Sequence, residues 1–302
     1  MSYAPRHRLP LWTPGRGASG RWKQSPEDFS VVELPAREPE GEGEHQWLRV
    51  ERCGFSTEEV ASALAERAGV PRVAIGYAGL KDRQARTVQD FTVMGGQPVT
   101  ALPEGMIIKK SSRSLHKLRV GELVGNRFDI RVRGCDLEIL EDRARKLEKT
   151  GMPNYYGEQR VGTDAPRRGR DALLGRGPRM PEPELKFALS AYQSLLFNDV
   201  LIRRGRRRLH GDLEEEGIPT GPIFGATMPW PADEALALEE SVLLSEGLPE
   251  GVWTRFPRLT RGTRRKLWVE LKIRIQPVED GAWLRFGLPP GSYATVLLEE
   301  LL

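Results

Sequence analysis

The sequence predicts an α+β fold: a mixed, largely antiparallel sheet flanked by helices and interrupted by a mostly helical insertion. Three observations carry this. Short stretches at Phe29–Leu34, Gln46–Glu51, Thr87–Val93 and Asn126–Arg133 have the strand period of two. Strong strand patterns return only near the end, at Leu267–Ile275 and Trp283–Leu288. Between these two groups lies a long helical pattern, Glu184–Arg204, bounded by segments rich in Gly, Pro and Arg.

In chain order, Phe29–Leu34 and Gln46–Glu51 alternate as strands. Ser56-Thr-Glu-Glu59 is a capping box that opens a helix running to about Ala68. The apolar run Val73–Tyr77 reads as the end of a buried strand. The chain then turns at Gly79, presents Lys81, Asp82 and Arg83 in a loop, and resumes as a strand over Thr87–Val93. It passes through Met106–Val120 to Asn126–Arg133, where Phe128, Ile130 and Val132 alternate with Arg127, Asp129 and Arg131 as in a half-buried strand. Leu137–Thr150 has helical spacing and stops before Gly151 and Pro153. Residues 161–183 read as a basic connection. Glu184–Arg204 places Leu185, Leu189, Tyr192, Leu195, Leu196 and Val200 on one stripe. Residues 211–231 are again rich in Gly and Pro, a helix is expected near Glu234–Ser245, and Ser292–Leu302 closes the chain as a helix. No internal repeat is evident.

A length of 302 residues fits two domains at about 150 residues each. With 29% charged and 39% hydrophobic residues, the chain is globular rather than disordered. No apolar run approaches the ~20 residues of a membrane helix, and the first twenty residues lack the apolar segment of a signal peptide. Cys53 and Cys135 stand alone, and His7, His45, His116 and His210 are scattered. Neither a zinc site nor a disulfide framework is indicated, so a cytoplasmic protein without metal is expected. The net charge is only +4, with pI near 9.1, but the cations cluster. Arg160, Arg167, Arg168 and Arg170 form one group; Arg203, Arg204, Arg206, Arg207 and Arg208 form another. Arg261, Arg264, Arg265 and Lys266 make a third, and Lys109, Lys110, Arg113, Lys117 and Arg119 a fourth. Such clusters are the footprint of a phosphate-backbone binder, although solvated helix ends give the same composition.

The most informative segment is Gly76-Tyr-Ala-Gly-Leu-Lys-Asp-Arg-Gln-Ala-Arg-Thr-Val-Gln-Asp-Phe-Thr-Val93. A carboxylate between two cations at a strand–loop junction stays ionised at neutral pH. It can serve as a nucleophile or a general base. Taken alone, Lys-Asp-Arg is more often a solvated turn. This segment, however, resembles motif II of the TruD family of tRNA pseudouridine synthases, in which Gly-Leu-Lys-Asp-Arg carries the nucleophilic aspartate. Further blocks match in order: Gly20-Arg-Trp-Lys with Pro26-Glu-Asp-Phe-Ser-Val-Val-Glu33, then Gly41-Glu-Gly-Glu-His-Gln-Trp47 and Gly125-Asn-Arg-Phe128. Asn154-Tyr-Tyr-Gly-Glu-Gln-Arg160 and Leu284-Arg-Phe-Gly-Leu-Pro-Pro-Gly-Ser-Tyr-Ala-Thr295 complete them.

The resemblance implies a catalytic sheet built from both chain ends, residues 1–151 and 263–302, with an inserted TruD domain over 152–262. It implies conversion of uridine to pseudouridine in tRNA, at position 13, with no cofactor and no metal. Asp82 would be the nucleophile and Lys81 its electrostatic partner. Asn126 would hold the aspartate or read a uracil edge, and Phe29, Phe128 and Tyr293 would line the pocket for a flipped base. Arg160, Arg206, Arg207 and Arg208 are the candidates for the RNA backbone, and nothing demands more than a monomer. Two other readings compete. An RNA-binding protein without chemistry explains the arginine clusters but not the intact Gly79–Arg83 block. An N-glycosidase needs an activated water, and no second carboxylate matches that role.

Overall fold

The computed structural model describes residues 9–81, 83–158 and 164–302. Among them the elements are, in order, β1 (Arg21–Trp22), β2 (Phe29–Pro35), β3 (His45–Arg52), α1 (Thr57–Ala68), β4 (Ile75–Tyr77), β5 (Arg86–Met94), β6 (Met106–Ser114) and β7 (Leu123–Arg133). There follow α2 (Leu137–Thr150), β8 (Met152–Pro153), α3 (Ala165–Leu173), α4 (Glu182–Arg204), β9 (Glu214–Glu215), β10 (Ile218–Ile223) and α5 (Asp233–Ser245). The chain closes with β11 (Thr263–Lys266), β12 (Trp268–Val269), β13 (Ile273–Val278), β14 (Gly281–Leu288) and α6 (Ala294–Leu301). No helix among the described residues is long and apolar enough to cross a membrane.

The chain divides into two compact units. One comprises Arg16–Glu148, Leu271–Gly291 and Leu301–Leu302; the other comprises Met1–Gly15, Lys149–Glu270 and Ser292–Glu300. The first unit holds a nine-stranded sheet in the order β13-β14-β7-β2-β5-β3-β6, with β1 on β7 and β4 on β5. Every pairing is antiparallel except β2 with β5, where Val31 lies beside Thr87. The expected α+β class with a mostly antiparallel sheet is what the chain forms. Helix α1 opens at the expected capping box: Ser56 Oγ accepts from Glu59 N at 3.2 Å, and Glu59 Oε2 accepts from Ser56 N at 2.7 Å. Gly69 ends the helix with φ +69°, the left-handed conformation that glycine adopts without strain. Val60, Ala61, Leu64 and Ala68 of this helix pack on Leu48, Val50, Phe91 and Val93 of the sheet.

The second unit is organised around α4. Leu189, Tyr192, Leu196 and Val200 of its stripe are buried with Phe224 and Trp253, while Leu185 and Leu195 sit half-buried beside them. Two expectations are corrected here. Residues 161–183 are not only a connection, because Ala165–Leu173 is helical. Pro166 falls in the first turn, where its missing N–H costs nothing. Gly169, which reads as a breaker, is the contact residue between helices. A Cβ there would lie 2.2 Å from the Ala188 carbonyl oxygen, so only glycine lets α3 approach α4 this closely. Leu267–Ile275 is not one strand. Trp268 pairs with Pro153 and Val269 with Met152, whereas Ile273 pairs with Phe286 in the large sheet. The alternation of Val269, Leu271 and Ile273 runs on in phase across the break, so periodicity alone cannot locate it.

Candidate active site

Strand register places several of the expected site residues on one face of the large sheet. Phe29 stands opposite Ile130, Val31 opposite Phe128, and Glu33 opposite Asn126, so Phe29, Glu33, Asn126 and Phe128 share a face. On the far side of β7, Phe286 is opposite Phe128 and Leu288 is opposite Asn126. The rings form a ladder. Trp22 and Phe29 have centroids 5.8 Å apart, Phe29 and Phe128 6.2 Å, and Phe128 and Phe286 stack at 5.3 Å. Phe29 and Phe128 are both buried. The amide oxygen of Asn126 is buried and has no hydrogen-bond partner among the described residues.

Asp82 itself lies outside the described residues, but both of its neighbours are held. The Lys81 ammonium forms an ion pair with the Glu33 carboxylate, with both side chains buried. Lys81 N donates to Thr57 Oγ1 at 2.9 Å. Arg83 Nε donates to the Gly54 carbonyl at 2.8 Å, and its guanidinium lies 3.3 Å from Glu59. Behind Lys81 is a polar network that the sequence reading missed. Gln89 Nε2 donates to Gly79 O at 2.6 Å and to Glu33 Oε2 at 3.2 Å. The single hydroxyl of Thr57 donates to Gln89 Oε1 at 3.0 Å, and it accepts from Arg52 Nη2 at 3.0 Å as well as from Lys81 N. That is the full capacity of a hydroxyl.

The electrostatics follow from burial. Removal from water pushes the Glu33 carboxyl up and the Lys81 ammonium down, while their mutual attraction works against both shifts. Burial also brings the Arg52 guanidinium down to about 10, opposed by the nearby Glu33 charge. Glu33 Oε1 and Arg52 Nη1 are buried without partners among the described residues. A signal for this network did exist. The period of two puts Glu33 in phase with Phe29 and Val31, and Gln89 in phase with Thr87 and Phe91, so both polar side chains occupy core-facing positions. Thr57→Val would strip three hydrogen bonds without changing volume and leave their partners buried. It should cost about 1–3 kcal/mol in denaturant unfolding, with Thr57→Ser keeping most of that stability. A valine variant as stable as the parent would show that the hydroxyl organises nothing.

Tyr293 belongs to the other compact unit. Its ring lies 6.1 Å from that of Tyr156, and a Cβ on Gly157 would sit 3.4 Å from it. Two sequence blocks far apart in the chain meet there. Asn154 Oδ1 accepts from Ser292 Oγ at 2.8 Å and from Arg265 Nη2 at 2.6 Å, and the Arg265 guanidinium lies 4.3 Å from the Tyr156 ring centroid. Gln159 and Arg160 lie outside the described residues. Arg206, Arg207 and Arg208 are exposed yet partly engaged. Arg206 donates to Thr150 O at 3.0 Å and covers Trp12; Arg207 donates to the Arg204 and Arg203 carbonyls, each at 3.0 Å. Arg208 pairs with Glu214 and covers Trp268. No group of three or more His, Cys, Asp or Glu among the described residues is arranged to hold a metal ion.

Comparison with known proteins gives a consistent result. The family model described as tRNA pseudouridine synthase D (TruD) matches residues 10–176 and 208–301. The tRNA pseudouridine synthase D of Anaeromyxobacter sp. (strain Fw109-5) is 37% identical, covering 95% of this chain and 93% of its own length. That of Thermus thermophilus is 38% identical over 95% of this chain and 89% of its own. Among solved structures, the putative tRNA pseudouridine synthase D (TruD) from Methanosarcina mazei superposes with a TM-score of 0.73. It covers 96% of this chain and 95% of its own at 20% identity, a likeness of fold.

Proposed function

This chain belongs to the tRNA pseudouridine synthase D (TruD) family, whose reaction isomerises uridine to pseudouridine, and from that premise we propose that it acts on the uridine at position 13 of tRNA with Asp82 as nucleophile. The observation that carries this reading is the anchoring of the chain on either side of Asp82. Lys81 is tied to Glu33 and Thr57, and Arg83 to Gly54 and Glu59. A reacting carboxylate works best where the surrounding structure allows it little motion.

The isomerisation breaks the C1′–N1 bond, rotates the uracil and joins C1′ to C5. The C5 proton is lost and N1 gains one, so atoms balance without a redox partner or an energy source. Asp82 either adds to the ribose, forming a transient bond that the returning base displaces, or removes the 2′ proton. Lys81, its neighbour in the chain, is assigned as its electrostatic partner through an ammonium that is also paired with Glu33. Asn126 reads the uracil edge with its paired donor and acceptor, which its unpartnered amide oxygen favours. Phe29 and Phe128 supply apolar walls for a flipped base, a contact of ~1–3 kcal/mol per stacked ring, and Tyr293 keeps the substrate-binding role that the family resemblance gives it. The catalytic part is assigned to residues 1–151 and 263–302 and the insertion to 152–262; the large sheet draws its strands from both flanks, while Met1–Gly15 and Ser292–Glu300 group with the unit built around α4. Arg160 and the free N–H groups of Arg206, Arg207 and Arg208 are assigned to the RNA backbone. The protein acts as a monomer in the cytoplasm, where its substrate is.

The test is to incubate the protein with unmodified tRNA transcripts and map pseudouridine by carbodiimide-dependent primer stops. One new stop at position 13 is expected. A stop only at another uridine would overturn the position, and tight binding with no stop on any tRNA would overturn the activity.

A further inference from the structure

In the unit built around α4, an open recess of about 700 Å³ lies between the segment that joins α3 to α4 and the turn at residues 255–259. Its size is that of a ligand site, but its lining is not that of a small-molecule pocket. Arg176, Arg179, Arg255 and Arg258 surround it, with Glu182 as the single carboxylate and Phe256 on one wall. All four arginines are exposed. None has an ion-pair partner among the described residues, a condition they share in this unit with Arg206, Arg207 and Arg261, but these four surround one concavity. The Arg255 guanidinium lies against the backbone at Gly175, where a Cβ would sit 2.7 Å from its Nη1. The same guanidinium is 6.0 Å from the centroid of the Phe256 ring. Four exposed guanidinium groups around one concavity, with one carboxylate among them, make a locally positive surface that favours an anion.

We propose that this recess is a second RNA-binding site, which grips a phosphodiester segment of the tRNA substrate away from the reacting uridine. Identifying that RNA as tRNA rests on the functional reading above. Guanidinium groups grip paired phosphate oxygens bidentately and read no sequence, so the recess contributes affinity and register without choosing the uridine.

The experiment uses the full chain with two paired variants, Arg176→Gln with Arg179→Gln and Arg255→Gln with Arg258→Gln. Filter binding to a full-length tRNA transcript is followed across a salt series, with thermal melts as the folding control. Each pair is expected to weaken binding by about 5- to 20-fold at moderate salt and to lower the slope of log affinity against log salt by about two. The turnover rate at saturating tRNA is expected to stay unchanged. A control pair on α2, Arg145→Gln with Lys146→Gln, removes the same charge elsewhere. An equal loss in that control, or unchanged affinity and slope in both recess variants, would overturn the site. Loss of inorganic phosphate binding with tRNA affinity intact would assign the recess to a small anion and overturn it too. Because binding is read independently of product, a parent protein that binds through the recess but makes no pseudouridine would sink the functional reading alone.

Discussion

Asp82→Asn is expected to reduce pseudouridine formation by at least about 10³-fold while tRNA affinity stays within about twofold of the parent. The substitution keeps the size of the side chain and removes only its charge and basicity. An amide neither adds to C1′ nor takes the 2′ proton, so both versions of the mechanism fail together. Its neighbours should hold their places, because Lys81 and Arg83 are anchored through Glu33, Thr57, Gly54 and Glu59 rather than through Asp82. The measurement is single-turnover formation of pseudouridine on tRNA, beside filter binding and a melting curve. Retention of a tenth or more of the parent rate would remove Asp82 from the chemistry. Loss of binding in step with loss of turnover would make it a contact to RNA instead.

The largest stability effect should come from Glu239→Ala. Glu239 accepts two parallel hydrogen bonds from Arg264, at 2.8 and 2.7 Å, with both side chains largely buried. Arg264 also donates to the Thr220 carbonyl at 2.6 Å and to its hydroxyl at 3.1 Å, so one guanidinium ties α5 to the paired strands β10 and β11. Burial pushes the Glu239 carboxyl up, against the pull of Arg264. Taking the carboxylate away strands a buried cation, which costs about 3–5 kcal/mol. For a chain of 302 residues, at about 2.1 cal/mol/K of unfolding entropy per residue, that corresponds to a fall in Tm of roughly 5–8 °C. Glu239→Leu combined with Arg264→Met should recover much of the loss, since an apolar pair of similar volume leaves no charge uncompensated. A fall below about 2 °C for Glu239→Ala would mean that water reaches the arginine and the pair is not buried in solution.

Much of this architecture was legible, for physical reasons that vary between elements. The capping box at Ser56 and the apolar stripe of α4 are local patterns, and local patterns survive into the structure. The parallel pairing of β2 with β5 was not legible, because period-two alternation says which face a residue occupies and not which strand lies beside it. Helix α3 was hidden by Gly169 and Pro166. Each weakens an isolated helix, yet each serves here, one at the contact with α4 and the other in the first turn. In the candidate site, Lys81, Phe29, Asn126 and Phe128 could be named from motif resemblance. What holds Lys81 could not. Thr57 reads as part of a helix start, Gln89 as an ordinary strand residue and Arg52 as a strand end. Only their meeting behind the loop makes them one network. Conversely, Arg206, Arg207 and Arg208 stand out in the sequence as a cluster, and the structure gives each an internal partner.

The pairing of β7 with β14 has a consequence for how the chain is made. The outer edge of β7 waits for a strand that begins about 150 residues later, an interval of roughly 7–30 s at ~5–20 residues per second of synthesis. Through that time the nascent sheet presents an open edge to neighbouring chains, the situation that leads to mispairing. Arg127, Asp129, Arg131 and Arg133 alternate along that strand, and Asp129 later receives Arg285 of the incoming strand. A row of charges on the waiting edge discourages a second copy from docking there, while the one opposite charge among them marks where the proper strand belongs.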